Sequence, residues 1–259
     1  MEELNGKNNP RIKEAQKLLD RKERKAAGKF LLEGARLCCD AAYNGVKIET
    51  LFITAQAAGR YPDEFALLSS KARNSFYVSE ENAAKLSDTD NSQNIFCVCE
   101  KKEETPVINA GGMYVLLDNI QTPDNLGAIV RTAEALGADG LIVCSGCDVY
   151  SPKAMRAAMG ALLRFPVITG MNAPEAVRLC REKGMRVFAA VPDRSAEDIS
   201  AADKKGGAVI VIGNEGNGVG SETLSECTGA VTIPMKGKAE SLNAAAAAAI
   251  AVWEFMKER

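Results

Sequence analysis

The chain has no histidine among its 259 residues. The side chain that most often serves as a general base near neutral pH is therefore missing, and any proton transfer must use another group or solvent. The same absence bears on metals. Eight cysteines are present, but the CxxC spacing Cys144-Ser145-Gly146-Cys147 has no second CxxC and no histidine to complete four zinc ligands. No metal is expected. A thioredoxin-like redox site would open a helix, whereas Pro152 puts the next helix start several residues later, so the motif reads as a strand end. No stretch is long and apolar enough to span a bilayer, and the opening Met-Glu-Glu-Leu-Asn-Gly-Lys does not have the pattern of a secretory signal. A cytoplasmic protein with reduced thiols and no membrane partner is expected. Strong charge is lacking too: a formal net charge of −2 does not advertise nucleic-acid binding.

What charge there is sits unevenly. Residues 1–30 carry nine Lys or Arg against five acids. A basic helical stretch of this kind can meet phosphates, with Arg11, Lys22 and Lys29 as candidates, or it can form a solvated helix face. Helical spacing of Ile12, Ala15, Leu18 and Leu19 predicts a helix over 9–27. Strands are expected at 29–33, 48–54, 75–78 and 94–100, and helices at 35–43, 62–70 and 80–86. This alternation describes a small α/β domain over residues 1–105. The polar, then Pro- and Gly-containing, stretch at 106–112 reads as a linker.

A second domain is expected over 113–259. Strands are predicted at 113–117, 140–143, 165–168, 186–190, 208–212 and 230–233. Helices are predicted at 125–136, from Ser151-Pro152 to about 160, at 174–183, at 221–225 and from Ser241 to 257. Apolar strands alternating with helices give a mostly parallel sheet. The six alanines at 244–249 are strong helix formers and let a neighbouring helix approach closely.

Three segments carry chemistry. The first, Asp118 to Ala133, holds Asn125, Gly127 and Arg131. Asn125 suits a helix mouth, and six residues turn Arg131 by about 240° net onto another face of the helix. The second, Val209 to Gly220, ends a buried strand in Gly213-Asn214-Glu215-Gly216-Asn217-Gly218, where glycines allow close approach of a ligand. The third runs Ile233-Pro234-Met235-Lys236-Gly237-Lys238-Ala239-Glu240-Ser241-Leu242-Asn243. It is a loop opening a helix at which Ser241 could cap free N–H groups and loop amides could cradle a polar or anionic ligand.

In order and spacing these segments resemble the three motifs of the SpoU (TrmH-like) RNA 2′-O-ribose methyltransferases, of the SPOUT superfamily. The resemblance covers roughly residues 110–259. The N-terminal third resembles the small substrate-binding domain, similar to ribosomal protein L30e, of members acting on ribosomal RNA. The resemblance implies a deep trefoil knot in the second domain, an α/β-knot, which periodicity would never suggest. It implies S-adenosylmethionine as methyl donor, ribosomal RNA of the 23S type as substrate, and a homodimer through the methyltransferase domain. Asn125, Arg131, Glu215, Ser241 and Asn243 match catalytic positions. Gly213, Asn214, Gly216, Gly218, Ile233, Met235, Ser241, Leu242 and Asn243 match the cofactor pocket. Arg131 is expected to clamp an RNA phosphate, since arginine stays protonated. Glu134, one turn beyond, could orient it. Ser151 to Ala161 resembles a further family segment in which Arg156 could face RNA; Ala158 stands where many members have serine.

Alternatives are a transfer-RNA 2′-O-methyltransferase, a non-catalytic RNA-binding ribosome assembly factor of the same fold, and a nicotinamide-dependent oxidoreductase suggested by Gly216-x-Gly218-x-Gly220. The last fits poorly: the spacing is not GxGxxG, and the next strand ends in Pro234-Met235 rather than an acidic ribose ligand.

Overall fold

Runs of β-branched and apolar residues alternate with helices throughout the computed structural model, which describes residues 1–4, 6–102 and 107–257. The elements in order are β1 (Glu2–Leu4), α1 (Pro10–Lys17), α2 (Arg21–Ala27), β2 (Lys29–Glu33), α3 (Ala35–Tyr43), β3 (Ile48–Ile53), α4 (Ala55–Arg60), α5 (Pro62–Lys71), β4 (Asn74–Val78), α6 (Glu80–Leu86) and β5 (Ile95–Glu100). Then come β6 (Met113–Asp118), α7 (Pro123–Ala135), β7 (Gly140–Cys144), α8 (Pro152–Ala157), α9 (Ala161–Arg164), β8 (Val167–Thr169), α10 (Ala173–Glu182) and β9 (Arg186–Ala190). The chain closes with β10 (Glu197–Asp198), β11 (Ala208–Ile212), α11 (Ser221–Glu226), β12 (Gly229–Thr232) and α12 (Ala244–Met256). Of the linker expected at 106–112, residue 106 lies outside the described residues, and 107–112 contains neither strand nor helix.

Two compact units form. The first joins the N-terminal region to Asp148–Arg164. Its sheet has the order β1-β4-β3-β5-β2; β1, β4 and β3 run parallel, and β5 is antiparallel to β3 and β2. Ile12, Ala15 and Leu18 of the first helical region close over Phe52, Phe76 and Phe96. The helix expected over 9–27 breaks at 18–20. Asp20 caps a new helix there, accepting from the N–H of Lys22 at 2.7 Å, and a capped start is where a second helix begins at low cost.

Residues 148–164, expected with the C-terminal domain, group with this first unit through buried chemistry. Arg24 is 3% exposed. Its Nε and Nη2 reach Asp148 Oδ2 at 2.9 and 2.8 Å, and its Nη1 donates to the Leu18 carbonyl at 2.8 Å. The Phe30 and Tyr150 rings meet at 4.9 Å. Arg24, one of the nine basic residues of 1–30, therefore neither sits on a solvated helix face nor is free to meet a phosphate.

The second unit is built on seven strands in the order β10-β12-β9-β11-β6-β7-β8, every neighbouring pair parallel. β7 and β11 are buried along their whole length, as continuous apolar strands covered on both faces should be. α10 packs Ala176, Val177 and Cys180 against Tyr114, Leu116, Ile142, Val187, Val209 and Val211. α7 and α12 pack on each other, and α12 also meets β11 and β6.

Candidate active site

In open parallel sheets the crevice beyond the carboxyl ends of the strands is where loops can present polar groups without breaking the ladder. Here the ends of three adjacent strands, β12, β9 and β11, open onto a cavity of about 440 Å³. Its walls are Ala190 at the end of β9 with Val191 and Pro192 after it, Ile212 at the end of β11 with residues 213–219 after it, Ile233 and Met235 after β12, and Glu240, Ser241 and Leu242 ahead of α12.

The 213–218 loop is closed on itself. Asn214 and Gly218 exchange two backbone hydrogen bonds, each 2.9 Å. A Cβ on Gly213 would strike the backbone of Gly218 and Val219, so only glycine permits this closure. The Asn214 carboxamide accepts from the N–H groups of Gly216 and Asn217 at 3.0 and 3.1 Å and donates to the Asn119 carbonyl at 2.9 Å. The loop is thereby anchored to the chain leaving β6.

Glu215 extends that anchor. Its carboxylate accepts from the backbone N–H of Gln121 and of Thr122, both at 3.0 Å, and from Asn125 Nδ2 at 2.9 Å. Thr122 is the N-cap of α7, and its own side chain makes no capping bond. A carboxylate from a distant loop thus satisfies donors at this helix start and faces the positive end of its dipole. Partial burial pushes the Glu215 carboxyl up, but the donors from Gln121, Asn125 and Thr122 outweigh it and hold it at about 2. Glu215 is a carboxylate at any physiological pH and too weak a base to take a hydroxyl proton efficiently.

Asn125 passes the chain of bonds onward. It is 9% exposed, and its Oδ1 accepts from Asn243 Nδ2 at 3.1 Å. Asn243 in turn caps α12, its Oδ1 accepting from the N–H of Ala245 and Ala246 at 2.9 and 3.3 Å. One hydrogen-bonded path, Glu215–Asn125–Asn243, therefore joins all three motif segments.

Two expectations change here. Asn125 lies inside α7 rather than at its mouth, which Thr122 and Pro123 form. The cap of α12 is Asn243, so Ser241 does not open the helix; it lies on the cavity wall with Leu242.

Arg131 is exposed on α7 and makes no hydrogen bond or ion pair among the described residues. The other expected cations differ. Arg11 stacks 4.4 Å from the centre of the Phe76 ring, Lys29 pairs with Glu49, and Arg156 pairs with Asp88 at 2.8 Å. Lys22 is exposed at the start of α2. Sequence reading passed over Gln121 and Thr122, which act through backbone N–H groups that no residue type announces. It also passed over Val191 and Pro192, which the strand-end rule applied to β9 could have found.

Cys144 ends β7, and burial first, then the nearby Asp118 charge, pushes its thiol up to about 12. It is a packed, unreactive thiol. All eight cysteines are free, and no group of three or more metal-ligating side chains occurs among the described residues. No helix among them is long and apolar enough to cross a membrane.

Comparison with known proteins places these motifs. Residues 112–253 match the SpoU rRNA Methylase family, and residues 9–97 match the MRM3-like substrate binding domain. The 23S rRNA (guanosine(2553)-2'-O)-methyltransferase RlmP of Bacillus subtilis is 30% identical over 98% of each chain. The 23S rRNA (uridine(2479)-2'-O)-methyltransferase of Streptomyces viridochromogenes is 31% identical over 97% of this chain and 91% of its own. Among solved structures, the AdoMet-bound rRNA methyltransferase of Sinorhizobium meliloti superposes with a TM-score of 0.87 at 29% identity, covering 99% of this chain and 98% of that one.

Proposed function

The chain belongs to the SpoU rRNA methylase family, and from that premise we propose that it transfers a methyl group from S-adenosylmethionine to a ribose 2′-hydroxyl of ribosomal RNA, of the 23S type, in the cytoplasm. The observation that carries this reading is the convergence of three sequence segments, through Glu215, Asn125 and Asn243, beside a cavity at the ends of β9, β11 and β12.

The cavity fits the cofactor. Its volume of about 440 Å³ is in the range of sites that enclose small ligands. Val191, Ile233 and Leu242 offer apolar walls for a flat base, and the loops at 213–218 and 233–242 offer backbone N–H and C=O groups. Glu240 brings negative charge to the wall, which suits a sulfonium. Bound there, the cofactor supplies an electrophilic methyl carbon.

The residues divide the remaining work. Arg131 holds an RNA phosphate by charge, bringing the ribose to a fixed place. Much of the rate comes from such positioning and fixed electrostatics. Glu215 is a positioning residue: it fixes Asn125 and the start of α7. Asn125 has its amide nitrogen and oxygen committed to Glu215 and Asn243, so it too holds geometry. Ser241, on the wall and not occupied in capping, is the hydroxyl available to meet the ribose. The 2′-hydroxyl proton leaves to solvent, since neither Glu215 nor an arginine is a competent base.

The active form is a homodimer of methyltransferase units. Ala248, Ala251, Val252 and Phe255 turn α12 inward, while Ala246, Ile250 and Trp253 line its exposed face at helical spacing. Trp253 is 58% exposed, and a second copy would cover it. Calorimetry with S-adenosylmethionine and with NAD tests the cofactor reading. Binding of the first and none of the second is expected; the reverse would overturn the assignment.

A further inference from the structure

A second cavity, of about 410 Å³, lies in the first unit, between the α1–α2 region and the sheet. Beneath it lie Phe52 and Phe76, only 1% and 7% exposed with ring centres 6.0 Å apart, and the exposed Arg11 guanidinium covers Phe76 at 4.4 Å from its ring centre. At one end stand Lys29 and Glu49, paired with Lys29 Nζ 2.5 Å from Glu49 Oε2. That carboxylate oxygen is buried, with the Lys29 ammonium as its ion-pair partner.

Glu49 reaches this cavity because of a backbone irregularity. Between Ile48 and Thr50 the pairing of β3 with β5 shifts register, so Ile48 opposes Cys99 and Thr50 opposes Val98, leaving Glu49 extra. In a regular strand Glu49 and Thr50 would point to opposite faces. The bulge lets both line the same cavity; bulges re-aim side chains in this way. The Asn74 amide holds the bulge by donating to the Glu49 carbonyl at 3.3 Å.

We propose that this cavity binds a guanine base through the Lys29–Glu49 pair, a reading that rests on the chain acting on RNA. Guanine presents on one edge an O6 acceptor beside N1–H and N2–H donors. Lys29 donates to O6 while Glu49 accepts from the two donors, and the ring lies against the Arg11 plane. Adenine offers the reverse, an amino group toward the ammonium and an acceptor toward the carboxylate, and is excluded by both charges. The base comes from an unpaired guanine of the RNA or from a free guanine nucleotide; the chemistry is the same.

The full-length protein is titrated with the pentanucleotides UUGUU and UUAUU and with guanosine and adenosine 5′-monophosphates. The central-guanine oligomer should bind about tenfold tighter than the central-adenine one. Glu49→Gln and Lys29→Met should each abolish that preference while leaving S-adenosylmethionine affinity unchanged. A preference confined to the free monophosphate would keep the guanine site and assign it to a free nucleotide. Equal binding of guanine and adenine ligands, or a preference that survives Glu49→Gln, would overturn the inference. S-adenosylmethionine binding, read on the same samples, separates this from a failure of the methyltransferase assignment, which would abolish cofactor binding in the wild type.

Discussion

Arg24 and Arg131 are the same residue type in opposite circumstances. Arg24 is 3% exposed, and all three of its guanidinium nitrogens are engaged, two by Asp148 and one by the Leu18 carbonyl. Arg131 stands on the exposed side of α7 with no partner among the described residues. Burial with a partner makes the first a fastener of the N-terminal unit. Exposure without one leaves the second available to a phosphate. Charge in a sequence therefore does not say which arginines are free to meet a phosphate; their partners do.

The contrast can be broken at its buried end first. Arg24→Ala would strand the Asp148 carboxylate and should destabilise the protein by about 3–5 kcal/mol, the usual cost of opening a buried pair from one side. Denaturant unfolding measures this. Deleting residues 1–110 removes Arg24 and Phe30 together, exposing Val149, Met155, Leu162 and Leu163, which are buried. Such a truncated protein should aggregate or melt well below the full chain, as followed by scanning calorimetry. A truncated protein as stable as the full chain would show that residues 148–164 do not need the first unit.

Arg131→Ala is the exposed counterpart. It should lower methyl transfer about 10²–10³-fold, the range for removing one preorganised electrostatic contact, with cofactor affinity and melting temperature unchanged. Single-turnover assays with labelled S-adenosylmethionine check it. A drop in stability in place of activity would make Arg131 another fastener.

Glu215 gives a smaller, pH-dependent effect. Its folded value of about 2 lies below the ordinary 4.5. A depressed carboxyl contributes stability above its unfolded value and loses it as pH falls through the folded one. Glu215→Gln should therefore melt lower than wild type at pH 7, by about 2–4 °C if the exposed site is worth on the order of 1 kcal/mol. The gap should close between pH 4.5 and about 2. The smallest expected effect is at the exposed face of α12: Trp253→Glu should shift the protein toward monomer in light scattering without unfolding it.

Much of the fold was legible because local patterns and tertiary structure agree. The predicted strands at 29–33, 186–190 and 208–212 and the helices at 35–43 and 80–86 have the bounds found. α4 was missed because Ala55–Arg60 is short and lacks a clear apolar stripe. β10, two exposed residues long, carries no strand signal. The attachment of 148–164 to the first unit depends on a pair 124 positions apart, which no window of sequence contains. In the site, the motif resemblance singled out Asn125, Glu215 and Asn243, and in the structure hydrogen bonds join them. The cap of α12 was misplaced because serine and asparagine cap about equally well. Only geometry selects Asn243, whose side chain also reaches Asn125.

The central claim, that this chain methylates a ribose of ribosomal RNA using Arg131 and the 213–243 cavity, is tested most directly by mapping 2′-O-methyl groups across ribosomal RNA. Cells with the gene intact, deleted, or carrying Arg131→Ala are compared. A 2′-O-methyl group in the 23S-type RNA should be present with the intact gene, absent after deletion and not restored by the variant. Identical methylation maps in all three strains would contradict the account.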